Sequence, residues 1–411
     1  MANQTGLWFP RSATADGRRL LATRALRGFA DGAVSILLPR YLTGIGFSPS
    51  QFGAIVFGTL FGSAALTLAV GLITHRLGRR RVLLGACALM MCTGLGFAAL
   101  GSFWPLFVIA VVGTYNPSAG DVSLFLPVEQ AALAETVATR DLTAMFAVYN
   151  VAGALAGALG ALASGVPIAM ASRLGWSVLG AARSGFFLYS TVSLIAAALY
   201  LPLSPAVEVE RGAAPAAPLA KSRGIVLRLS ALFSLDSLGG GFVVQSLLAL
   251  WLFRRFNMSV ELVGSFFFGA GLLGALSQFV SSSLAARIGR INTMVFTHLP
   301  SNMCLILAAL MPNARLAIVF LLLRFSMSQM DVPARQSFVM AVVPPEERAA
   351  AASVTNVPRS LAAALAPLPA GVMLNCTSFG WPLVCAGVLK TIYDFLLLGQ
   401  FRSVRPSDEE R

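Results

Sequence analysis

Runs of about 20 apolar residues recur along the whole chain, and they restrict the fold more tightly than any motif does. At about 1.5 Å of rise per residue, such a run crosses a hydrocarbon layer of about 30 Å as a helix, and only a helix or a closed barrel satisfies its backbone there. Twelve are legible, at roughly 21–42, 50–73, 81–101, 105–130, 143–165, 184–203, 225–253, 260–286, 291–311, 314–342, 349–374 and 379–401. Of the 411 residues 57% are hydrophobic and 11% charged, with a mean hydropathy of +0.78. These features predict an all-α polytopic membrane protein with twelve transmembrane helices, and they leave no room for a large soluble domain.

Basic residues give the orientation. Both ends of the chain, "HRLGRRR" (75–81), Arg140, the 204–224 segment, Arg287, Arg290 and Arg348 fall on one side, which holds 20 of the 30 Lys and Arg when Arg24, Arg27 and Arg228 at the ends of their spans are counted with it; the opposite loops hold six. Short basic loops stay cytoplasmic, so both termini are expected there, and the first span is read as an uncleaved anchor. The net charge of +13 follows from this retention and from anionic-lipid contact, so no nucleic-acid partner is expected. Arginine outnumbers lysine 28 to two in an alanine-rich chain, from which we expect a GC-rich bacterial genome and an inner-membrane location. Five scattered cysteines lack the spacing of a disulfide framework or a zinc site, and a structural role is expected for them.

The Pro/Ala-rich stretch "SPAVEVERGAAPAAPLAKSRG" (204–224) divides the chain into an N-terminal six-helix half (1–203), a cytoplasmic linker and a C-terminal six-helix half (225–411). The halves repeat. Ser48, Gly53 and "RLGR" (76–79) match Ser259, Gly264 and "RIGR" (287–290) at an offset of 211; Asp121–Val122 matches Asp331–Val332 at 210, and "YNV" (149–151) matches "TNV" (355–357) at 206. Parallel repeats of this kind are common in secondary transporters.

The loop "GLITHRLGRRRVLL" (71–84) resembles the signature loop of the major facilitator superfamily, roughly G-x-x-x-D-R-x-G-R-R. Gly71, Arg76, Gly78, Arg79 and Arg80 match it; His75 stands where the family has Asp, and in the second copy Arg287, Gly289 and Arg290 remain while Ser282 and Ala286 replace the Gly and Asp. The resemblance implies a gating loop whose Asp locks one conformation against a neighbouring helix start. His75 would make a weaker or pH-dependent contact there, or be an ordinary interfacial residue. It further implies that spans 1, 4, 7 and 10 line a central cavity, that the small-residue stripes "GTLFG" (58–62), "GALAGALG" (153–160) and "GAGLLG" (269–274) belong to spans joining the halves, and that the protein is a monomer.

Charges at membrane depth usually face protein or a wet cavity. Counting rise along the spans puts Asp31, Asp236, Arg324 and Arg359 near the midplane, with Asp121 and Asp331 on its cytoplasmic side. Arg27 and Asp31, Asp331 and Arg335, and Lys390 and Asp394 are each four residues apart and can pair on one helical face, with Arg324 on the same stripe as Asp331 and Arg335. Asp236 has no arginine within one turn and is the first candidate for proton coupling, with Asp31 second. Glu129 is placed near a cytoplasmic end, as a gate or surface residue. Asn150 and Asn356, repeat-equivalent, are read as bonding between the halves, with solute contact as the alternative; Tyr149, Phe325, Met327 and Met330 line the pathway or pack against helices.

No phosphate-cradling Gly-rich loop, catalytic Ser/His/Asp set or metal-ligand cluster is present in the sequence, so an enzyme, ATP coupling, a cofactor and a metal are not expected. The expected function is secondary active transport of a small solute by alternating access, coupled to protons, with efflux of a small organic molecule or drug as the first direction. The family's antiporter signature G-x-x-x-G-P-x-x-G-G is absent from "GALAGALGALASG", which leaves open uptake of an organic anion or amphoteric metabolite by proton symport. A non-transporting membrane sensor is the alternative from another class.

Overall fold

The structure, a computed structural model, describes residues 10, 12–118, 123–138, 141–208, 219–344 and 347–402. Among these there is no strand, and seventeen α-helices build the twelve spans. Seven spans are single helices: α1 (Ala15–Gly44), α2 (Pro49–Leu77), α3 (Arg79–Ala99), α8 (Val178–Tyr200), α11 (Val260–Ile288), α12 (Arg290–Leu310) and α17 (Trp381–Phe401). Five spans are each two helices in series: α4 (Phe103–Val112) with α5 (Phe125–Ala134), α6 (Leu142–Ala163) with α7 (Gly165–Leu174), α9 (Arg223–Gly241) with α10 (Gln245–Phe256), α13 (Ala314–Met327) with α14 (Asp331–Val342), and α15 (Arg348–Leu365) with α16 (Pro367–Cys376).

The breaks have local causes. Proline lacks the amide that would bond the carbonyl four residues earlier, so Pro333, Pro367 and Pro167 leave the carbonyls of residues 329, 363 and 163 without that partner, next to the interruptions at 328–330, 366 and 164. The tenth span therefore breaks just before Pro333, which lies in the first turn of α14. Between α9 and α10 the break follows Gly239, Gly240 and Gly241, each of which costs a helix about 1 kcal/mol relative to Ala. Pro127 lies in the first turn of α5, where a missing amide is tolerated.

The repeat read from sequence extends to the elements. Helices α2 and α11 are both 29 residues long and α3 and α12 both 21, and in each pair the starts are 211 residues apart. Gly78 (φ 87°) and Gly289 (φ 85°) between them share a left-handed conformation that an L-side chain resists.

The chain forms two compact units, residues 1–47, 58–213 and 260–268 in the first and 48–57, 214–259 and 269–411 in the second. In the first, α1 packs along α6 and α8, and α3 along α8. The α1–α6 seam is backbone against backbone: a Cβ on Gly32 would stand 2.0 Å from the Gly157 carbonyl oxygen. Lipid is as apolar as the helices, so close packing of small residues takes over the role that hydrophobic burial has in water. Several glycines of the small-residue stripes pack within this unit. Gly153, Gly157 and Gly160 face α1, and Gly58 and Gly62 face Phe107 and Val111 of α4. In the second unit α9, α12, α14 and α17 enclose a core that includes Phe233, Met294, Phe338, Tyr393 and Leu397. The five cysteines are free.

Candidate functional site

Four helices of the second unit bring charge to one place. Asp236 on α9 is 5% exposed; its Oδ1 accepts from Lys390 Nζ of α17 at 2.6 Å and lies 3.7 Å from His298 Nε2 of α12. Arg335 Nη1 of α14 reaches Asp236 Oδ2 at 3.4 Å and Asp331 Oδ2 at 3.1 Å. The other side of the His298 ring, Nδ1, is 2.9 Å from Asp394 Oδ1, and Asn302 Nδ2 donates to Asp394 Oδ2 at 2.8 Å. Tyr393 stands edge-on to His298, with ring centroids 6.0 Å apart. The Tyr393 hydroxyl is buried and has no hydrogen-bond partner among the described residues.

Three carboxylates thus meet two cations in direct ion pairs, Arg335 and Lys390, with Arg324 farther off but acting on Asp236. Among these direct contacts the acids outnumber the cations by one, and His298 stands between Asp236 and Asp394. Buried ions need such compensation, because desolvation costs several kcal/mol per ion.

A second carboxylate hub lies in the first unit. Glu129 on α5 is fully buried. It accepts from Arg27, Tyr149 and Tyr200, and from Thr23 Oγ1 at 2.9 Å. The Arg27 guanidinium also stacks over the Phe125 ring at 4.1 Å. Burial corrects the reading of Glu129 as a surface residue, and the direct partner of Arg27 is Glu129, while Arg27 also acts on Asp31. Asp31 is 8% exposed and lies beside Tyr189 of α8, whose hydroxyl donates to the Thr114 carbonyl at 3.0 Å.

The expected pair Asp331–Arg335 is present, whereas Lys390 and Asp394 turn to different partners, Asp236 and His298. Arg324, half-buried near the end of α13, lies over the Phe325 ring at 4.7 Å. Arg359 of α15 donates to Ser237 Oγ at 3.1 Å and to Asn356 Oδ1 at 3.2 Å. Asn150 and Asn356 are both exposed on their units. Asp121 lies outside the described residues. Met327 and Met330 flank the break in the tenth span.

In the signature loop the backbone of Gly71, His75 and Arg76 is helical; the side chains of His75 and Arg76 lie outside what the structure describes. Gly78 turns the chain into α3, whose first amides are taken by a carboxylate from the end of the first half. The N–H groups of Arg79 and Arg80 donate to Glu208 at 2.6 and 3.2 Å, and the Arg79 side chain donates to the Val207 carbonyl at 2.8 Å and pairs with Glu135 at 3.7 Å. An anion at a helix N-terminus is favoured by the helix dipole. Arg80 and Arg287 are exposed, and Arg290 opens α12.

Two further acids work outside the membrane. Asp16 accepts from Arg19 at 2.8 Å and from Ser204 Oγ at 2.6 Å; burial raises its pKa, but the Ser204 and Arg19 bonds outweigh this and hold it below its ordinary value. Glu347 accepts from Ser222 Oγ and from the N–H groups of Lys221, Ser222 and Ala220 at the start of α9. These bonds, the Ser222 hydroxyl first, lower its pKa to about 2.

Membrane-spanning helices in two repeated sets of six, with buried ionic clusters at membrane depth and no soluble domain among the described residues, define a polytopic membrane transporter. Residues 20–367 match the family model of the Major Facilitator Superfamily, and the chain belongs to that superfamily. It is 26% identical over 428 aligned residues to the uncharacterized membrane protein YJR124C of Saccharomyces cerevisiae (strain ATCC 204508 / S288c), which covers 96% of each chain. Its fold is shared with a bacterial homolog of the human lysosomal transporter Spinster in an inward-facing and unoccupied conformation, with a TM-score of 0.73, 15% identity, 95% of this chain and 98% of that one. It is shared also with the nucleoside transporter NupG, with a TM-score of 0.71, 13% identity, 94% of this chain and 99% of that one. The bacterial expectation rests on arginine bias alone, and a yeast relative over nearly the whole length shows that this architecture is not confined to bacteria.

Proposed function

We propose that the chain is a proton-coupled secondary active transporter that moves a small organic solute by alternating access, and that the second-unit cluster is its proton-carrying element. The observation that carries this reading is the set of direct contacts around His298: three carboxylates, two cations in ion pairs with them, and an imidazole with a carboxylate at each ring nitrogen. Imidazole is the side chain whose charge changes most readily near neutral pH. Protonated, His298 donates toward both Asp236 and Asp394; neutral, it has one N–H and serves one of them. Gain or loss of one proton therefore changes which contacts across α9, α12 and α17 are satisfied, and such a rearrangement is what a coupling step needs. A charge-neutral cluster of the same size would offer no such step.

Efflux of the solute against inward proton flow is the first direction to test, from the resemblance of the signature loop. Uptake of an organic anion or amphoteric metabolite together with a proton is the second reading, favoured by the position of Arg324 discussed below. The membrane is read as the cell's limiting membrane with both termini on the cytoplasmic side, supported by the basic-residue count, and the working unit as a monomer.

Purified protein in proteoliposomes with a pH-sensitive dye inside tests the reading. Addition of candidate organic cations and anions should move protons in step with at least one of them, and His298→Asn should abolish this proton movement. Solute flux that is unchanged by a protonophore and by His298→Asn would sink the coupling assignment. Absence of flux for every solute tried would favour the sensor alternative.

A further inference from the structure

The tenth span carries a cation that makes no direct ion pair with the proton cluster, although Asp236 acts on it from a distance. Arg324 is ten residues after the start of α13, about 15 Å along the helix axis, and so at about half the thickness of a hydrocarbon layer of about 30 Å. It makes no ion pair among the described residues. The guanidinium lies over the Phe325 ring, and the Arg324 backbone carbonyl accepts from Ser301 Oγ of α12 at 3.4 Å and from the Ser328 amide at 2.9 Å. The last of these bonds keeps the helical turn intact from 324 to 328, which puts the two side chains on one face. The Ser328 hydroxyl is buried and has no hydrogen-bond partner among the described residues.

A guanidinium at mid-depth costs several kcal/mol against hydrocarbon, so it faces water or protein. Every residue from Arg324 to Met330 is only half-buried within its unit, and Arg324, Ser326, Ser328 and Gln329 make this the polar stretch of the span. The chain then breaks at 328–330, and irregular backbone at membrane depth occurs where it lines a cavity or is covered by protein. Discontinuous helices of this kind form solute sites in other transporters.

We infer that Arg324 and Ser328 form an anion-recognition site for the transported solute, whose chemistry is that of a small organic anion or amphoteric molecule bearing a carboxylate, sulfonate or phosphate. The planar guanidinium supplies paired donors that match the oxygens of such a group. The Ser328 hydroxyl adds a donor one turn along. At this depth a lipid headgroup does not reach the site, so the anion comes from a soluble molecule. The inference rests on the transport reading for its meaning. Its test measures binding and needs no proton gradient, so failure of the one is distinguishable from failure of the other.

The test is a thermal-shift titration of the full chain in detergent with size-matched probes: 3-phenylpropionate, 3-phenylpropanesulfonate, phenethyl phosphate, the neutral 3-phenylpropionamide and the cationic 3-phenylpropylamine. A ligand of the folded form raises the apparent melting temperature. At least one anionic probe is expected to do so in a saturable way, and the amide and the amine are not. Arg324→Gln should weaken that probe's Kd by about tenfold or more, Arg324→Lys by less because charge is kept without the fork, and Ser328→Ala by severalfold. If Arg324→Gln does not fold, the Arg324→Lys and Ser328→Ala titrations decide. Stabilisation by the amine in place of the anions, an unchanged Kd in all three variants, stabilisation only by phosphatidylglycerol, or no shift with any anionic probe overturns the assignment.

Discussion

The two carboxylate hubs use the same number of helices and opposite chemistry. Around Glu129, α1, α5, α6 and α8 supply one cation and three hydroxyls, so one negative charge meets one positive charge and neutral donors complete the shell. Around Asp236, α9, α12, α14 and α17 supply an imbalance: an extra acid, and a histidine between two carboxylates. The first arrangement fastens four helices together. The second is the one proposed above to rearrange its bonding with a proton. Both are buried, so burial alone does not separate an anchor from a relay; the charge count does.

Glu129→Gln should have the largest effect, and on stability. Removing one partner of a buried ion pair leaves the other uncompensated, at about 3–5 kcal/mol. Denaturation of the purified variant should show the loss, while the pH profile of transport by the protein that remains folded stays that of the wild type. A shifted pH profile would mean that Glu129 is no mere anchor.

Asp236→Asn should instead abolish the pH-gradient-driven part of the flux, with a stability loss of up to about 3–5 kcal/mol because Lys390 is left without its closest acid. Adding Lys390→Met removes that stranded charge. The double variant should recover most of the melting temperature and none of the coupling. Recovery of both would show that the Asp236–Lys390 pair is structural and that the comparison between the hubs fails.

The smallest effect concerns Glu347, outside both hubs. Its pKa is lower in the folded protein than in the unfolded chain, so its contribution to stability is fully present above its ordinary value of 4.5 and fades as pH falls toward about 2. Glu347→Gln should therefore melt lower than the wild type at neutral pH, with the gap closing between pH 4.5 and about 2. A gap independent of pH would mean that the carboxylate charge plays no part in holding the start of α9.

Much of the architecture was legible because lipid imposes it: the apolar runs and the repeat offset of 211 follow from local sequence. Of the charge pairs, only Asp331–Arg335 was legible, since four residues on one helix fix its geometry. Asp236 and Lys390 are 154 residues apart and Arg27 and Glu129 102 apart, and no local spacing signals either. His298 was passed over for the same reason. The misreading of Glu129 concerns its exposure: its partners Thr23, Arg27, Tyr149 and Tyr200 come from two other spans and the far end of a third, and no local spacing shows that they cover it.

The connector between the halves is shorter in practice than its 21 residues suggest. Glu208 is fastened to the first amides of α3 in its own unit, and Ala220 to Glu347 in the other. Eleven residues, 209–219, separate these two moorings in sequence. A pair of glutamates thus fixes where each unit takes hold of the connector, and either Glu208→Gln or Glu347→Gln would shift that point along the chain without inserting a residue.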